Sequence, residues 1–225
     1  MGQIGGQPVQ SNAVVLYLLI GSLVWSYLAT TFDAIAEMIS WERWEGTIEY
    51  TFVAPVSRLT HMVGQVIFAA SYGIVRTGII LVILQHFFEL DLSEANVLAA
   101  GAVLAIASIG FVGLGIMVST LPLLFTERGM QMVFVTQSCI LLVSGVYYPI
   151  EVTPGWMQFF GTISPATYAL VGVRRALLEG QSLAQMVDVL IPLFIIGVLT
   201  IPIGLVVFGF AERYAKRAGL LKRSG

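Results

Sequence analysis

The sequence predicts an all-α polytopic membrane protein, a bundle of five transmembrane helices. Of the 225 residues, 57% are hydrophobic and only 11% are charged, whereas a soluble domain carries about 25% charged residues. Five long windows contain no Asp, Glu, Lys or Arg: 1–32, 59–75, 95–126, 129–150 and 189–211. A spanning helix needs roughly 20 apolar residues, so we expect one membrane-embedded domain over residues 1–225.

The apolar runs set the predicted order of elements. They place spans at about 13–36, 61–87, 96–124, 130–149 and 187–211. The segment 150–186 is less apolar and combines prolines, glycines and aromatic residues. Irregular backbone is not tolerated where it faces lipid hydrocarbon, so this segment is predicted to form short broken helices at the outer interface or dipping into it. Residues 212–225 form a tail.

The basic residues predict the orientation of the chain, because short cytoplasmic loops collect Lys and Arg. One side holds eight of them: Arg43, Arg58, Arg128, Arg213, Lys216, Arg217, Lys222 and Arg223. The other side holds only Arg174 and Arg175. The C-terminus is therefore predicted to be cytoplasmic. A net charge of −2 with scattered basic residues predicts no nucleic-acid partner.

The loop after the first predicted span has the most informative pattern. A helix over about 40–50 would carry an aromatic or apolar stripe beside an acidic one: Trp41, Trp44 and Ile48, then Glu42, Glu45 and Glu49. Such a helix lies flat at the membrane surface. Anionic lipid headgroups are a poor partner for glutamates, so the pattern favours docking into a groove on a soluble protein. A solvated connector between two spans is the alternative.

The same residues carry a resemblance to a known family. The loop resembles the cytoplasmic loop of type-2 ATP-binding-cassette exporter permeases through Glu42, Arg43, Glu45, Gly46, Thr47, Glu49 and the run APVSR at 54–58. A second stretch is similar to that family's outer segment between its last two spans: SGVYYP at 144–149, PATY at 165–168 and RRALLEG at 174–180. The resemblance covers residues 13–225.

This resemblance implies a function for the chain. It implies a permease subunit of an ATP-driven exporter in the cell (plasma or inner) membrane, forming the path for a hydrophobic or amphipathic substrate such as a drug, lipid or lipid-linked molecule. The residues implied for coupling to the ATPase are Glu42, Arg43, Glu45, Gly46, Thr47, Glu49 and Pro55. A second permease copy, identical or different, is expected to complete the path. Members of the family usually have six spans, so either a span precedes residue 1 or this bundle works with five.

The energy source is expected to lie on another protein. The chain has no G-x-x-x-x-G-K-[ST] loop to cradle phosphates. We therefore expect no cofactor on this chain and no enzymatic activity of its own, with ATP and Mg²⁺ bound by a separate nucleotide-binding subunit.

Ionisable residues near or within the spans are the remaining candidates. Arg76 lies within the second span, where a charge is costly and suggests function or a buried partner. It could line a substrate path, pair with a carboxylate or extend to the outer headgroups. Asp33 and Glu37 are one helical turn apart and form either a proton or cation site or a solvated helix end. Arg174 and Arg175 could recognise anionic headgroups, although plain surface charges are the simpler account.

Two other functional classes are weaker candidates. An intramembrane hydrolase would need a nucleophile–base pair or a metal motif, and the chain has neither G-x-S-x-G nor H-E-x-x-H. His61 and His86 lie at opposite ends of one span and cannot share a metal there. An ion-coupled secondary carrier would place paired carboxylates near the membrane midplane, and the sequence places none there.

Overall fold

The computed structural model describes residues 3–4, 7–8, 11–47, 50, 58–88, 95–125 and 127–219. The α-helices in these ranges, in chain order, are α1 (Ser11–Glu45), α2 (Arg58–Phe88), α3 (Val97–Val118), α4 (Thr120–Leu124), α5 (Gly129–Val143), α6 (Gly155–Ile163), α7 (Pro165–Leu178) and α8 (Val187–Arg217). Short 3₁₀ helices cover Ile150–Val152 and Leu183–Gln185. Two-residue strands β1 (Gln3–Ile4) and β2 (Gln7–Pro8) pair antiparallel near the N-terminus. Apart from these four strand residues, the regular elements in the described ranges are helical, so the all-α class predicted from composition is observed.

Four helical stretches in the described ranges are long and apolar enough to cross a membrane. They are Val14–Glu45, Gly64–Phe87, Val97–Leu124 and Val187–Arg217. The third stretch joins α3 and α4, which are separated only at Ser119. The predicted spans 61–87, 96–124 and 187–211 each fall on one of these helices, and α8 continues six residues beyond the predicted end of its span.

The predicted fourth span, 130–149, is shorter in the structure. Helix α5 ends at Val143 and has 15 residues, a length of about 22 Å against a hydrocarbon core of about 30 Å. Gly145 follows with φ of 71°, a conformation that ends helices. Apolar residues continue past this break, and for that reason hydropathy alone extended the span too far.

The first span also differs from its prediction. The sequence pattern predicts a span ending near residue 36 and a separate surface helix over about 40–50, but α1 continues without a break to Glu45. Residues 37–45 contain neither glycine nor proline, so nothing in this stretch stops the helix. At 35 residues, α1 is about 52 Å long. It therefore extends well beyond the hydrocarbon core.

Helix α3 occupies the centre of the bundle and packs on α1, α7 and α8. Its contact with α8 is the closest: a Cβ atom added to Gly113 would lie 2.4 Å from the Thr200 hydroxyl oxygen, and one added to Gly204 would lie 2.6 Å from the Gly113 carbonyl oxygen. Small residues allow helix backbones in membranes to approach closely. Gly113 and Gly204 thus fix the distance between α3 and α8.

Buried side chains form two apolar clusters at different levels of the bundle. The smaller cluster joins the last turns of α1, α3 with α4, and the end of α8: Ile35, Met38, Ile39, Ile116, Leu123, Phe208, Ala211 and Ala215. The larger cluster packs the remainder of α1 against α3, α7 and the start of α8. The Glu45 end of α1, helix α4 and the Arg217 end of α8 therefore lie at the same end of the bundle.

Short helices make up the segment between α5 and α8, as predicted for 150–186. Ser164 has extended backbone angles between α6 and α7, and Pro165 occupies the first turn of α7, where its missing N–H costs nothing. The segment packs on the bundle through the buried face of α7, which includes Ala166, Ala169 and Val173.

Candidate functional site

The candidate site is the Glu45 end of α1, where the residues implied for coupling lie. Gly46 has φ of 76° and its N–H donates to the Arg43 carbonyl oxygen at 3.2 Å. The Thr47 N–H donates to the Glu42 carbonyl oxygen at 2.9 Å. These two bonds form a Schellman motif, which satisfies the last carbonyls of a helix and favours glycine at the left-handed position. Gly46 and Thr47 therefore act as cap residues.

Arg43 points into the protein. It is 3% exposed, and its Nη2 donates a hydrogen bond to the Leu123 carbonyl oxygen at 2.7 Å. Leu123 is fully buried in α4. A charged donor makes a hydrogen bond of this kind stronger than a neutral pair. The bond ties the last turns of α1 to α4.

The outward face of the same turns is aromatic and acidic. Trp41 and Trp44 are 56% and 67% exposed, and their rings meet edge to face with centroids 5.6 Å apart. Glu45 is exposed, whereas Glu42 is 9% exposed. The two glutamates are three residues apart and share a helix face, but they differ in burial. Glu49 and Pro55 lie outside the described residues.

Beside this helix end, a cavity of about 710 Å³ lies between α1 and α2 and is open to the outside. Its lining includes Asp33, Glu37 and Glu45 from α1 and Phe68 and Tyr72 from α2. The structure thus brings together the Asp33–Glu37 pair and part of the predicted coupling segment. Among the described residues, no group of three or more His, Cys, Asp or Glu side chains could hold a metal ion.

Two polar contacts connect lining residues of this cavity with α2 and α5. Arg76 is exposed on α2 and its Nη1 donates to the Thr30 hydroxyl at 3.2 Å. Gln137 on α5 donates to the Asp33 carboxylate at 2.7 Å. Arg76 forms no ion pair with any residue in the described ranges, so pairing with a carboxylate, one of the three alternatives for this residue, is not seen there. It lies instead beside Thr30, a cavity residue.

Arg174 and Arg175 have different environments. Arg174 donates to the Val146 carbonyl oxygen at 2.7 Å and the Gly145 carbonyl oxygen at 3.2 Å, and its guanidinium lies 3.5 Å from the Tyr17 ring centroid. Burial lowers the pKa of Arg174, and the neighbouring Tyr17 raises it in part. Arg175 forms an exposed ion pair with Asp188 at 2.8 Å. Arg174 therefore joins α7, α1 and the turn after α5, and it is not a surface charge.

Comparison with known families decides what this bundle is. A family model described as ABC-2 type transporter matches residues 2–178. The chain belongs to the ABC-2 type transporter family. No curated protein matches the chain.

Membership in the ABC-2 type transporter family confirms the resemblance inferred from the loop and outer-segment motifs. The chain is a multi-pass membrane permease and a transport subunit. The match includes the Glu45 end of α1, the cavity and most of the outer segment, so these features belong to the family domain.

Sequence reasoning missed the inward role of Arg43. The motif implied only a coupling role for this residue, yet Arg43 follows Ile35 and Ile39 at intervals of four residues, and both isoleucines are buried. Side chains at i and i+4 share a helix face. That spacing was the available signal, and it required α1 to be recognised as continuous.

Proposed function

We propose that this ABC-2 type permease is the membrane subunit of an ATP-driven exporter and that the Glu45 end of α1 receives movement from a separate nucleotide-binding subunit. The observation that carries the proposal is the buried Arg43–Leu123 hydrogen bond at 2.7 Å. A displacement of this helix end acts directly on α4, because the two are joined by a charged donor in an apolar cluster.

The exposed side of the helix end supplies a surface for that subunit. Trp41, Trp44 and Glu45 present two rings and a carboxylate, a combination that suits an interface with an aromatic centre and a charged edge. We propose that Glu49 and Pro55, the other residues implied for coupling, also contact that subunit. ATP and Mg²⁺ belong to the partner in this proposal.

The transport cycle requires two states of the bundle. A conformational change driven by the partner must follow from different contacts of its ATP-bound and ATP-free states with the helix end. We propose that a second permease copy, identical or different, completes the path, and that the C-terminus and the Glu45 end of α1 both face the cytoplasm of a cell membrane. The substrate is proposed to be hydrophobic or amphipathic and to move outward.

Site-specific photo-crosslinking tests this proposal. p-Benzoylphenylalanine replaces Trp44 in the tagged full chain, expressed in its native host, and a matched variant carries it in place of Trp156, which is 59% exposed on α6. We expect position 44 to form an adduct with a P-loop ATPase and position 156 to form none. An ATPase adduct at position 156, or none at position 44 in a chain that inserts normally, would contradict the docking site.

A further inference from the structure

The cavity between α1 and α2 has one aromatic wall and one acidic wall. Phe68 and Tyr72 stack with ring centroids 6.1 Å apart and an interplanar angle of 12°, and they are 68% and 55% exposed. Trp41 adds a third ring from α1, and Met38 and Ala69 add apolar surface. The volume of about 710 Å³ is in the range of sites for small organic molecules.

The acidic wall belongs to α1. Asp33 and Glu37 are one turn apart and share a face of the helix, and Glu45 lines the cavity with them. No Lys or Arg is among the described lining residues; Arg76 reaches only the border, through its bond to Thr30. The charged side chains among the described lining residues are therefore all carboxylates.

The arrangement of these walls selects the kind of cation. Among the described residues, the carboxylates are not grouped closely enough to hold a metal ion. The faces of aromatic rings attract organic cations, and the attraction grows when the cation is partly desolvated. Apolar side chains beside the rings give room for an uncharged hydrophobic body. A metal ion would find no ligand atoms on the aromatic wall.

The carboxylates that line the cavity lie at different depths along α1. The helix is about 52 Å long and the hydrocarbon core about 30 Å thick. Because all charged residues of α1 lie between Asp33 and Glu45, the Glu45 end is the one expected to extend towards water. Asp33 lies 12 residues earlier, about 18 Å deeper along the helix. The cavity thus connects a polar entrance to a deeper carboxylate.

We propose that this cavity is a binding site for an amphipathic organic cation, a compound with a positive group and an aromatic or aliphatic body. The site rests on the proposed transport function and names the substrate class that would enter the path from the Glu45 end of the bundle. The cationic group lies near Glu37 or Asp33, and the hydrophobic body lies against Phe68 and Tyr72.

A pair of probes that differ in the sign of their charge tests the site. Equilibrium dialysis measures binding of tetraphenylphosphonium and of tetraphenylborate, a cation and an anion of similar shape, to the purified full chain in detergent without any ATPase. The variants are Glu37→Gln combined with Asp33→Asn, and the control Glu151→Gln, which removes an exposed carboxylate in the 3₁₀ helix Ile150–Val152. Tyr72→Leu examines the aromatic wall.

We expect saturable binding of the phosphonium only, weakened by about fivefold or more in the double variant, since each carboxylate contributes a Coulomb term to a partly desolvated cation. Tyr72→Leu weakens binding and Glu151→Gln leaves it unchanged. Equal binding of the two probes, or a double variant that folds normally and binds the phosphonium as well as the unmodified chain, overturns the cation site. Because no ATPase is present, that failure is distinct from failure of the crosslinking experiment, which tests the transport proposal.

Discussion

Arg43, near the end of α1, donates a hydrogen bond to the main-chain carbonyl oxygen of Leu123 in α4 over 2.7 Å. The two residues are 80 positions apart in the chain; both are buried, and Leu123 belongs to the apolar cluster formed by α1, α3, α4 and α8. Helix α4 packs in turn on α5 and α8. One side chain thus connects the proposed docking end of α1 with three other elements.

Arg43→Leu is expected to destabilise the chain by about 1.5–3 kcal/mol, because a buried hydrogen bond from a charged group is lost and the Leu123 carbonyl oxygen loses its donor. Thermal unfolding of the purified chain in detergent measures the loss. Arg43→Lys should recover part of it. Arg128→Leu, at an exposed position, is the matched control; equal effects of the two leucine variants would show that the Arg43 contact contributes no stability.

Reversing two charges on the proposed docking surface is expected to release the ATPase. Glu45→Lys combined with Glu49→Lys places cations where the partner meets carboxylates, and misplaced charges at an interface weaken assembly. Co-purification of the ATPase with the tagged chain measures this, and the amount of chain in the membrane fraction should not change. Glu151→Lys is the control. Assembly and transport that remain unchanged in the double variant would remove this segment from the mechanism.

Gly46→Ala is expected to lower the free energy of unfolding by about 1 kcal/mol, since the φ of 76° at Gly46 is unfavourable for a residue with a side chain. Gly64→Ala is a matched control inside α2: a Cβ atom there meets nothing within 4 Å, and alanine favours a helix interior. Unfolding temperatures of the two variants should therefore move in opposite directions. A neutral Gly46→Ala would mean that the left-handed cap is not maintained in the membrane.

Gly113→Ala is expected to force α3 and α8 apart, because the added methyl group meets main-chain and side-chain atoms of Thr200 at 2.4–2.6 Å. Overpacking of this kind costs about 1–3 kcal/mol. Gly101→Ala is the control on the same helix, with nothing within 4 Å of its added Cβ. Thermal unfolding in detergent compares them, and similar stability of both variants would contradict the observed α3–α8 spacing.

Arg174→Gln is expected to loosen the turn after α5, since the carbonyl oxygens of Gly145 and Val146 lose their charged donor. Loss of these bonds is expected to lower the free energy of unfolding by about 1.5–3 kcal/mol. Hydrogen exchange of the main-chain N–H groups of residues 144–148 should become faster. Arg175→Gln, which removes only an exposed ion pair with Asp188, should leave exchange there unchanged. Equal protection in both variants would argue against a structural role for Arg174.

Much of the fold could be predicted from the sequence because apolar length is a direct physical requirement of the bilayer. Composition gave the class, and the charge-free windows located most of the long helices. Helix ends were less predictable. Gly145 ends α5 inside an apolar run, and the absence of any breaker before Gly46 extends α1 through a segment that its aromatic and acidic pattern had suggested was separate.

The site was predictable only as a set of residues. The motif located Glu42, Arg43 and Glu45, but the direction of each side chain depends on the phase of α1 relative to the buried Ile35 and Ile39. The cavity depends on how α1 and α2 pack, which brings residues such as Asp33 and Tyr72 to one space. Spacing within a single helix contains no information about that pairing.

Because α1 is one continuous helix from Ser11 to Glu45, it can transmit a movement from one end to the other. Tyr17 near one end contacts Arg174, and Arg43 near the other holds Leu123; the two points are about 39 Å apart along the helix axis. A stiff rod fixed at two such points cannot absorb a push by bending locally at a hinge. A tilt imposed at the Glu45 end must either move α4 with it or strain the contact between Tyr17 and Arg174 at the other end. Rotation of this one helix therefore changes the packing at both ends of the bundle.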